Sequence, residues 1–499
     1  MIEGILIGLE TAFSLKNLMM VMIGCFAGTI IGMLPGLGPM TAIALMIPIT
    51  YGFEPSTGLI LMAGVYYGAV FGGSTSSILI NAPGIPGTVA TSFDGYPMAQ
   101  QGKAGKALAI AAYSSFAGGT IAAIFLLIAA PSLSKVSLAF RSPDYFGLMI
   151  LGLTAVSAFS AKGHFLKAMM MVVLGLMLAS VGQDTLSDIP RFTFQNMNLS
   201  DGISFVLVVM ATFAMSEALT IIFKANDPTR VAKQISLSQL GSIKLDKDET
   251  KKMVTTIPRS SVLGFIIGVL PGAGSTIASF LAYGMERNFV NDEEKQKFGK
   301  GSVNGLAAPE TANNAACSGS FVPLLTLGIP GSGTTAVMLG ALLGFGIQPG
   351  PRLYQTNPEI FWSVIMSMYI GMVILLILNL PLIPYIARVL ATPRTFLIPL
   401  ILFFSVTGIY LMSFNNFDIY MMIGIAVVAT ILRLYDFPMP PLILAFVLGG
   451  LMEENLRRSL LISDGSWSFL WDRPLTLVIM LTIIAIVSWQ IYKSFIGKK

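Results

Sequence analysis

Residues 28–38 read Gly-Thr-Ile-Ile-Gly-Met-Leu-Pro-Gly-Leu-Gly, and residues 264–274 read Gly-Phe-Ile-Ile-Gly-Val-Leu-Pro-Gly-Ala-Gly. The two stretches are identical at eight of eleven positions. In each one an apolar run stops at a Pro-Gly pair and a second apolar run begins. A further matched pair of breaks follows, Gly84-Ile85-Pro86-Gly87-Thr88 in the first half and Gly328-Ile329-Pro330-Gly331-Ser332 in the second. The chain is therefore predicted to contain two related halves, each with two interrupted hydrophobic segments.

The composition indicates which solvent surrounds these segments. Hydrophobic residues make up 54% of the 499 residues and charged residues only 11%, against about 25% charged in an ordinary soluble domain. With a mean hydropathy of +0.78, the chain reads as a polytopic membrane protein. The net charge is +5, and the basic residues lie in loops between apolar runs. Basic residues in such loops determine the topology of a membrane protein, so they do not indicate a nucleic-acid partner. Cys25 and Cys317 lie far apart in apolar stretches, so no disulfide framework is expected.

Several apolar runs are long enough to cross a bilayer. We expect spans at 17–34, 55–82, 104–130, 145–160, 164–182, 203–223, 359–387, 395–413, 417–434, 439–451 and 475–492, roughly ten to twelve in all. Residues 39–50 are too few to cross and predict a half-helix that begins at Pro39, as its counterpart begins at Ser275. Residues 1–16 lack the features of a cleaved signal peptide.

Charge in the loops predicts how the halves are oriented. Residues 224–259 carry eight Lys or Arg against four Asp or Glu, which is typical of a cytoplasmic loop. Residues 287–300 are also basic, so 260–286 would enter and leave on one side as a re-entrant hairpin, whereas 51–57 contain no Lys or Arg. The fold class is therefore an all-α polytopic membrane protein with two inverted repeats, at 1–223 and 260–499, joined by 224–259.

Broken helices at membrane depth have a chemical use. Non-helical backbone is tolerated there only when it is buried in protein or lines a wet cavity, so the four breaks are expected to converge on one internal site. Helix N-termini suit a carboxylate, and exposed carbonyls at helix C-termini suit a small cation. No metal-binding side chains are expected, but a Na⁺ ion could bind at these carbonyls. The alternative interpretation is that these Gly and Pro residues mark ordinary kinks and close helix packing.

The expected substrate- and ion-binding residues are those of the breaks and the small polar side chains beside them. They are Gly36, Gly38, Ser74, Thr75, Ser76, Ser77, Asn81, Pro86, Gly87, Thr88, Gly272, Gly274, Ser275, Thr276, Glu310, Asn313, Asn314, Ser318, Ser320, Thr326, Pro330, Gly331, Ser332 and Thr334. Hydroxyls and amides can hold an anion reversibly. Each of them could instead serve in interhelical hydrogen bonds, worth about 0.6–2 kcal/mol apiece.

Ionisable residues are few, and each has two interpretations. Pro309-Glu310 is typical of a helix start, but an acid at membrane depth can also couple transport to a cation. Asp94 resembles a turn former, Glu217 a helix-surface residue, and His164 an interfacial side chain. No zinc helix, Walker loop or nucleophile motif is present. We therefore expect no enzyme, no cofactor and no catalytic residue, with a channel and an intramembrane hydrolase as alternatives to a transporter.

Four longer blocks resemble a known family. Residues 32–38, 73–84, 307–315 and 324–331, among them Ala307-Ala308-Pro309-Glu310-Thr311-Ala312-Asn313-Asn314-Ala315, resemble the large membrane subunit of tripartite tricarboxylate transporters. The resemblance implies a multi-pass permease of the bacterial inner membrane that works with a small membrane subunit and a periplasmic solute-binding protein. It also implies import of citrate-like or other organic carboxylates, driven by Na⁺ or H⁺ through alternating access.

Two observations from the residues agree with this implication. The longest hydrophilic loop, about 34 residues, is too short to form a solute-capturing domain. Moving a dianion inward against about 150 mV costs about 7 kcal/mol, from about 2.3 kcal/mol per charge per 100 mV. Co-transported cations would neutralise that charge, which is the physical reason for a shared anion and cation site.

Overall fold

The computed structural model describes residues 2–34, 37–137, 139–158, 165–184, 187, 189–223, 241–272, 274–386 and 394–496. In this part of the chain, the first half forms α1 (Ile2–Ala12), α2 (Leu15–Met33), α3 (Gly38–Thr50), α4 (Pro55–Ile80), α5 (Val89–Met98), α6 (Ala104–Ser137), α7 (Ser142–Ala158), α8 (Phe165–Ala179), α9 (Phe205–Val209) and α10 (Ser216–Phe223). Short 3-10 or π turns lie at Pro86–Thr88, Ala99–Lys103, Met197–Leu199 and Met210–Met215. Two antiparallel strands, β1 (Gly182–Gln183) and β2 (Pro190–Arg191), form a small sheet.

The second half is also helical. Its helices are α11 (Lys247–Val269), α12 (Gly274–Phe289), α13 (Asp292–Lys295), α14 (Val303–Gly319), α15 (Phe321–Leu327), α16 (Gly333–Gly344), α17 (Leu353–Thr356), α18 (Pro358–Asn379), α19 (Ile383–Ile386), α20 (Arg394–Ser413), α21 (Asn416–Leu434), α22 (Pro440–Ile462) and α23 (Pro474–Ile496), with a 3-10 turn at Trp467–Leu470. Among the described residues, six helical stretches are long and apolar enough to cross a membrane, and five shorter apolar helices accompany them. The predicted all-α polytopic fold is confirmed.

The first re-entrant hairpin packs through glycines. α2 lies against α4 with backbone in contact with backbone: a Cβ added to Gly28 would lie 2.3 Å from the Val65 carbonyl oxygen, and one added to Gly32 would lie 2.2 Å from that of Ala69. Only glycine permits such an approach. The predicted half-helix at 39–50 is α3, which begins at Gly38 and places Pro39 in its first turn.

The second hairpin repeats this packing. A Cβ on Gly264 would lie 2.5 Å from the Ala312 carbonyl oxygen, and one on Gly268 would lie 2.3 Å from that of Ala316. Gly264 and Gly268 correspond to Gly28 and Gly32 in the repeated motif, so α11 with α14 is the structural counterpart of α2 with α4. The half-helices α3 and α12 begin alike, since Gly38 and Gly274 both have φ of +62°.

The second pair of breaks corrects one prediction. Asn81 (φ 50°) ends α4 and Gly328 (φ 68°) ends α15, each in the left-handed conformation. Three residues later, Gly84 lies against Gly32 and Gly73, as Gly331 lies against Gly268 and Ser320. Residues 81–84 are therefore equivalent to 328–331. The predicted pairing of 84–88 with 328–332 is wrong by three residues. The second break of the first half contains two Pro-Gly pairs, at 83–84 and 86–87, and the shared letters Ile-Pro-Gly match the later one.

Two contacts show that the repeats are inverted. The hydroxyls of Tyr67 and Ser318 lie 2.7 Å apart, and the Ser74 Oγ donates to Glu310 Oε2 over 2.8 Å. From the first contact to the second, the residue number rises along α4, from Tyr67 to Ser74, and falls along α14, from Ser318 to Glu310. The two equivalent helices are therefore antiparallel, and the hairpins that they complete enter the bundle from opposite ends.

The helix ends form two separate groups. On face A, Lys106 binds Glu249 at 2.8 Å, and the backbone N–H groups of Gly299, Gly301 and Ser302 donate to Asp94. On face B, Thr57 binds Asn17 and Ser56 binds Glu359. The basic residues of face A are Lys103, Lys106, Lys244, Lys247, Lys251, Lys252, Arg287, Lys295, Lys297 and Lys300. The predicted cytoplasmic loops, 224–259 and 287–300, therefore belong to face A where they are described.

Candidate functional site

The two repeats meet at a turn of the first half. Gly87, in the 3-10 turn Pro86–Thr88, is buried so closely that an added Cβ would lie 2.7 Å from Asn313 Oδ1 and 3.1 Å from Ser275 Oγ. Asn313 is in α14 and Ser275 is in the first turn of α12. A break of one repeat therefore touches the half-helix start and the broken helix of the other, so two of the four breaks expected to converge lie in contact.

Two adjacent amides lie at this junction without full hydrogen bonding. Asn313 is fully buried, and neither its Oδ1 nor its Nδ2 has a hydrogen-bond partner among the described residues. Asn314 donates its Nδ2 to the Glu310 carbonyl oxygen at 3.1 Å, while its Oδ1 has no partner. An unsatisfied buried polar group costs about 1–3 kcal/mol. Amides retained at that cost are suited to bind a ligand that offers both acceptors and donors.

Aromatic hydroxyls complete the junction, and the sequence did not suggest them. Tyr67 shares its hydrogen bond with Ser318, and the Tyr66 hydroxyl lies 3.5 Å from Ser332 Oγ. The Cys317 thiol lies beside Tyr66. Tyr66 and Tyr67 occupy the positions in α4 that Asn313 and Asn314 occupy in α14. Tyrosine in an apolar helix is common in membrane proteins and does not mark a site by itself. The signal that could have found Tyr66 and Tyr67 is their equivalence to Asn313 and Asn314, which appears only in the corrected alignment.

Glu310 is the buried acid of the site. It has no exposed surface and lies inside α14, which begins at Val303 and is capped by Ser302. The interpretation of Pro309-Glu310 as a helix start is therefore wrong, because the helix begins two turns earlier and neighbouring helices support the proline within it. Glu310 Oε2 accepts hydrogen bonds from Ser74 and Ser115 at 2.8 Å each, and Oε1 accepts one from Thr91. Thr91 and Ser115 were not predicted.

The other acids have structural roles. Asp94 lies inside α5, not in a turn, and its Oδ1 accepts the backbone N–H groups of Gly299, Gly301 and Ser302 at 2.7–2.9 Å. Glu217 is buried and pairs with Arg433. His164 lies outside the described residues.

Several predicted site hydroxyls bond instead within their own helix. Thr75 donates to Phe71, Ser76 to Gly73, Ser320 to Cys317 and Thr326 to Val322, in each case to the carbonyl oxygen. Ser77 Oγ lies 2.8 Å from both the Gly73 carbonyl oxygen and Thr88 Oγ1, and the contact with Thr88 ties α4 to the turn after its break. The bond from Ser77 to Thr88 joins two elements, as the alternative of interhelical hydrogen bonding expects, whereas the other four residues bond locally.

The remaining predicted residues shape the breaks. Gly272 donates its N–H to the Gly331 carbonyl oxygen at 3.1 Å, which joins the two breaks of the second half. Ser332 caps α16 through a reciprocal pair with Thr335. Asn81 and Pro86 are exposed, Thr276 is half-buried in α12, and Pro330 and Thr334 are buried beside the second break. Gly36 lies outside the described residues. Within the described part of the chain, no three His, Cys, Asp or Glu side chains are grouped to hold a metal ion.

Comparison with known proteins identifies the family. Residues 18–444 match the model of the tripartite tricarboxylate transporter TctA family. The chain belongs to this family. Over its whole length it is 41% identical to an "Uncharacterized 52.8 kDa protein in TAR-I ttuC' 3'region" of Agrobacterium vitis, of which it covers 98%. Over 212 residues, 42% of the chain, it is 42% identical to an "Uncharacterized protein in TAR-II ttuC' 3'region" of the same organism, of which it covers 87%. As a TctA-family protein it is a multi-pass membrane component of a tripartite transporter.

Proposed function

We propose that this chain is the permease subunit of a secondary active transporter that imports a tricarboxylate or related organic carboxylate together with Na⁺ or H⁺. In this proposal it acts in the bacterial inner membrane, receives its substrate from a periplasmic solute-binding protein and is assembled with a small membrane subunit. The observation that carries the proposal is the meeting of two inverted repeats at Gly87, Ser275 and Asn313.

The junction has the chemistry of a carboxylate site. α12 begins at Gly274 beside Asn313, and the N–H groups of a helix N-terminus carry a partial positive charge that attracts anions. The Asn313 Nδ2 adds a buried donor without a partner. No buried lysine or arginine is needed for such a site, and a carboxylate held by neutral donors can be released again.

The inverted arrangement supports alternating access. The first hairpin opens towards face B and the second towards face A. Ser275, at the tip of the second, lies at the junction. Gly38, at the tip of the first, lies against Gly84 and Ile85, which precede the junction turn. A rocking of one repeat against the other would expose that junction to each face in turn. A channel would instead leave it open to both faces, so solute flux would not saturate or depend on a second ion.

Reconstitution tests this function directly. We expect proteoliposomes that contain the chain, its small subunit and its binding protein to take up a labelled tricarboxylate saturably under an inward Na⁺ or H⁺ gradient. Absence of uptake of every carboxylate under both gradients would overturn the proposal. Gradient-independent, non-saturating flux would show a channel, and recovery of a cleaved product would show a hydrolase.

A further inference from the structure

We infer that Glu310 binds the coupling proton, and that the Ser74 hydroxyl changes its hydrogen-bond acceptor when it does. This inference rests on the proposed transport function and chooses H⁺ over Na⁺ at this position. It follows from the hydrogen bonds around the carboxyl group, which can be satisfied in both of its protonation states.

The ionised state is satisfied by three helices. α4, α5 and α6 each contribute one buried hydroxyl, from Ser74, Thr91 and Ser115, and all three lie within hydrogen-bond distance of a Glu310 oxygen. A carboxylate only accepts hydrogen bonds, and here both of its oxygens receive them. Hydrogen bonds to a charged acceptor are among the stronger ones in proteins, so the bundle can hold the anion without a cation beside it.

The hydrogen bonds of the protonated state need only the rotation of one hydroxyl group, that of Ser74. Among the hydrogen bonds found in the described residues, Thr91 and Ser115 donate only to Glu310, whereas Ser74 Oγ also lies 3.2 Å from the Val70 carbonyl oxygen. A proton on Oε2 can be donated to Ser74 Oγ when the Ser74 hydrogen turns to Val70. Every donor then still has an acceptor, so binding and release of the proton leave no buried group unpaired.

A bare cation fits this arrangement less well. Oxygen ligands of a hard cation such as Ca²⁺ surround it at about 2.3–2.6 Å with their lone pairs turned inward. Here the serine oxygens lie 2.8 Å from the carboxylate oxygen and present their hydrogens to it. An ion between them would have to displace these hydrogen bonds and separate the helices, whereas a proton requires neither.

Neighbouring charges do not neutralise Glu310. The described titratable or charged side chains that are at least partly buried on the helices packed on α14 are Tyr66 and Tyr67 of α4, Asp94 and Tyr96 of α5, Lys106 of α6, Glu249, Lys252 and Arg259 of α11, and Tyr283 and Glu286 of α12, with Cys317 on α14 itself. Lys106 pairs with Glu249, and Arg259 with Glu286. No ion pair joins Glu310 to any described residue, so its charge changes only with what it binds.

The test compares Glu310→Gln with the wild-type subunit in the complete reconstituted transporter. Gln imitates the protonated acid, so we expect exchange of labelled for unlabelled substrate to persist while accumulation driven by a pH gradient and substrate-driven proton entry are lost. Accumulation by Glu310→Gln at the wild-type level under the pH gradient would overturn the inference. So would wild-type transport that requires Na⁺ and moves no proton. Wild-type vesicles without any uptake would contradict the proposed function instead.

A second comparison has a matched control within one helix. Ser115→Ala removes a donor whose hydrogen bond to the ionised carboxylate is stronger than its bond to the protonated acid, so we expect the pH of half-maximal uptake to rise by about one unit or more. Ser114→Ala should leave it unchanged, because the buried Ser114 hydroxyl has no partner in the described residues. An unmoved midpoint in Ser115→Ala would contradict the inference. Independently of transport, the infrared difference spectrum of the purified protein on acidification should contain one protonated carboxyl component that the spectrum of Glu310→Gln lacks, and identical carboxyl bands in the two proteins would reject the assignment.

Discussion

One methyl group at Gly84 should prevent the first break from closing. An added Cβ would lie 2.0 Å from the Gly32 carbonyl oxygen and 2.7 Å from the Gly73 Cα, both backbone atoms that cannot rotate away. Overpacking of this kind costs about 1–3 kcal/mol or more. We expect Gly84→Ala to lower the thermal midpoint of the purified protein and to abolish uptake. Gly284→Ala is the control, because its Cβ would meet nothing within 4 Å. Equal behaviour of the two variants would refute this view of the break.

Asn313 offers a test that separates binding from folding. Leucine has a similar size, and replacing an unpaired buried amide by an apolar group is expected to leave stability unchanged or raised. We therefore expect Asn313→Leu to keep the wild-type melting temperature and to lose most substrate affinity, read as an increase of at least about tenfold in KM, which corresponds to about 1.4 kcal/mol. A stable variant with wild-type KM would remove Asn313 from the binding site.

The sequence could predict some of these residues and not others. Gly87 stands in a break, and Glu310 and Asn313 are an acid and an amide in a largely apolar stretch, so the sequence marks all three. Thr91 and Ser115 are ordinary small hydroxyl residues of α5 and α6, and they reach Glu310 only because these helices cross α14 at that level. Such a crossing depends on the packing of three helices and leaves no periodic signal in any one of them.

At the scale of elements, Asp94 joins the two halves on face A. Its carboxylate holds three backbone N–H groups of the turn before α14, and a hydrogen bond to a charged group contributes about 1.5–3 kcal/mol. We expect Asp94→Ala to lower the melting temperature and to speed tryptic cleavage at Lys297 and Lys300. Asp292→Ala, an exposed acid in α13, should change neither. Unaltered cleavage in Asp94→Ala would show that this turn is held by other contacts.

Most helices could be predicted from hydrophobic runs and Pro-Gly breaks, because the bilayer fixes the length of a span and a break interrupts the hydropathy. The start of α14 could not be predicted, because its cap, Ser302, follows a glycine-rich loop, whereas Pro309-Glu310 within the helix has the typical sequence of a helix start. The register of the second break also failed. The letters Ile-Pro-Gly occur at both sites, whereas the contact that defines the break is the approach of Gly84 or Gly331 to another helix.

At the scale of the whole molecule, inversion has a direct test. Glu54 and Asp292 are exposed on faces B and A, whereas the native Cys25 and Cys317 are fully buried. We expect Glu54→Cys to react with a membrane-impermeant thiol reagent from outside intact cells, and Asp292→Cys only after the cells are opened. The wild-type protein, labelled in parallel, should remain unmodified. Reaction of both variants from the same side would exclude inverted repeats.

The antiparallel pairing of α4 with α14 has one more consequence. At the position that Glu310 occupies in α14, α4 carries Ala63. The two halves therefore share a backbone arrangement but not this acid, and an exchange of their conformations does not give two symmetry-related states of equal energy. In the proposed alternating-access transporter, the states open to face A and to face B would therefore differ in energy, and Glu310 would be one source of that difference.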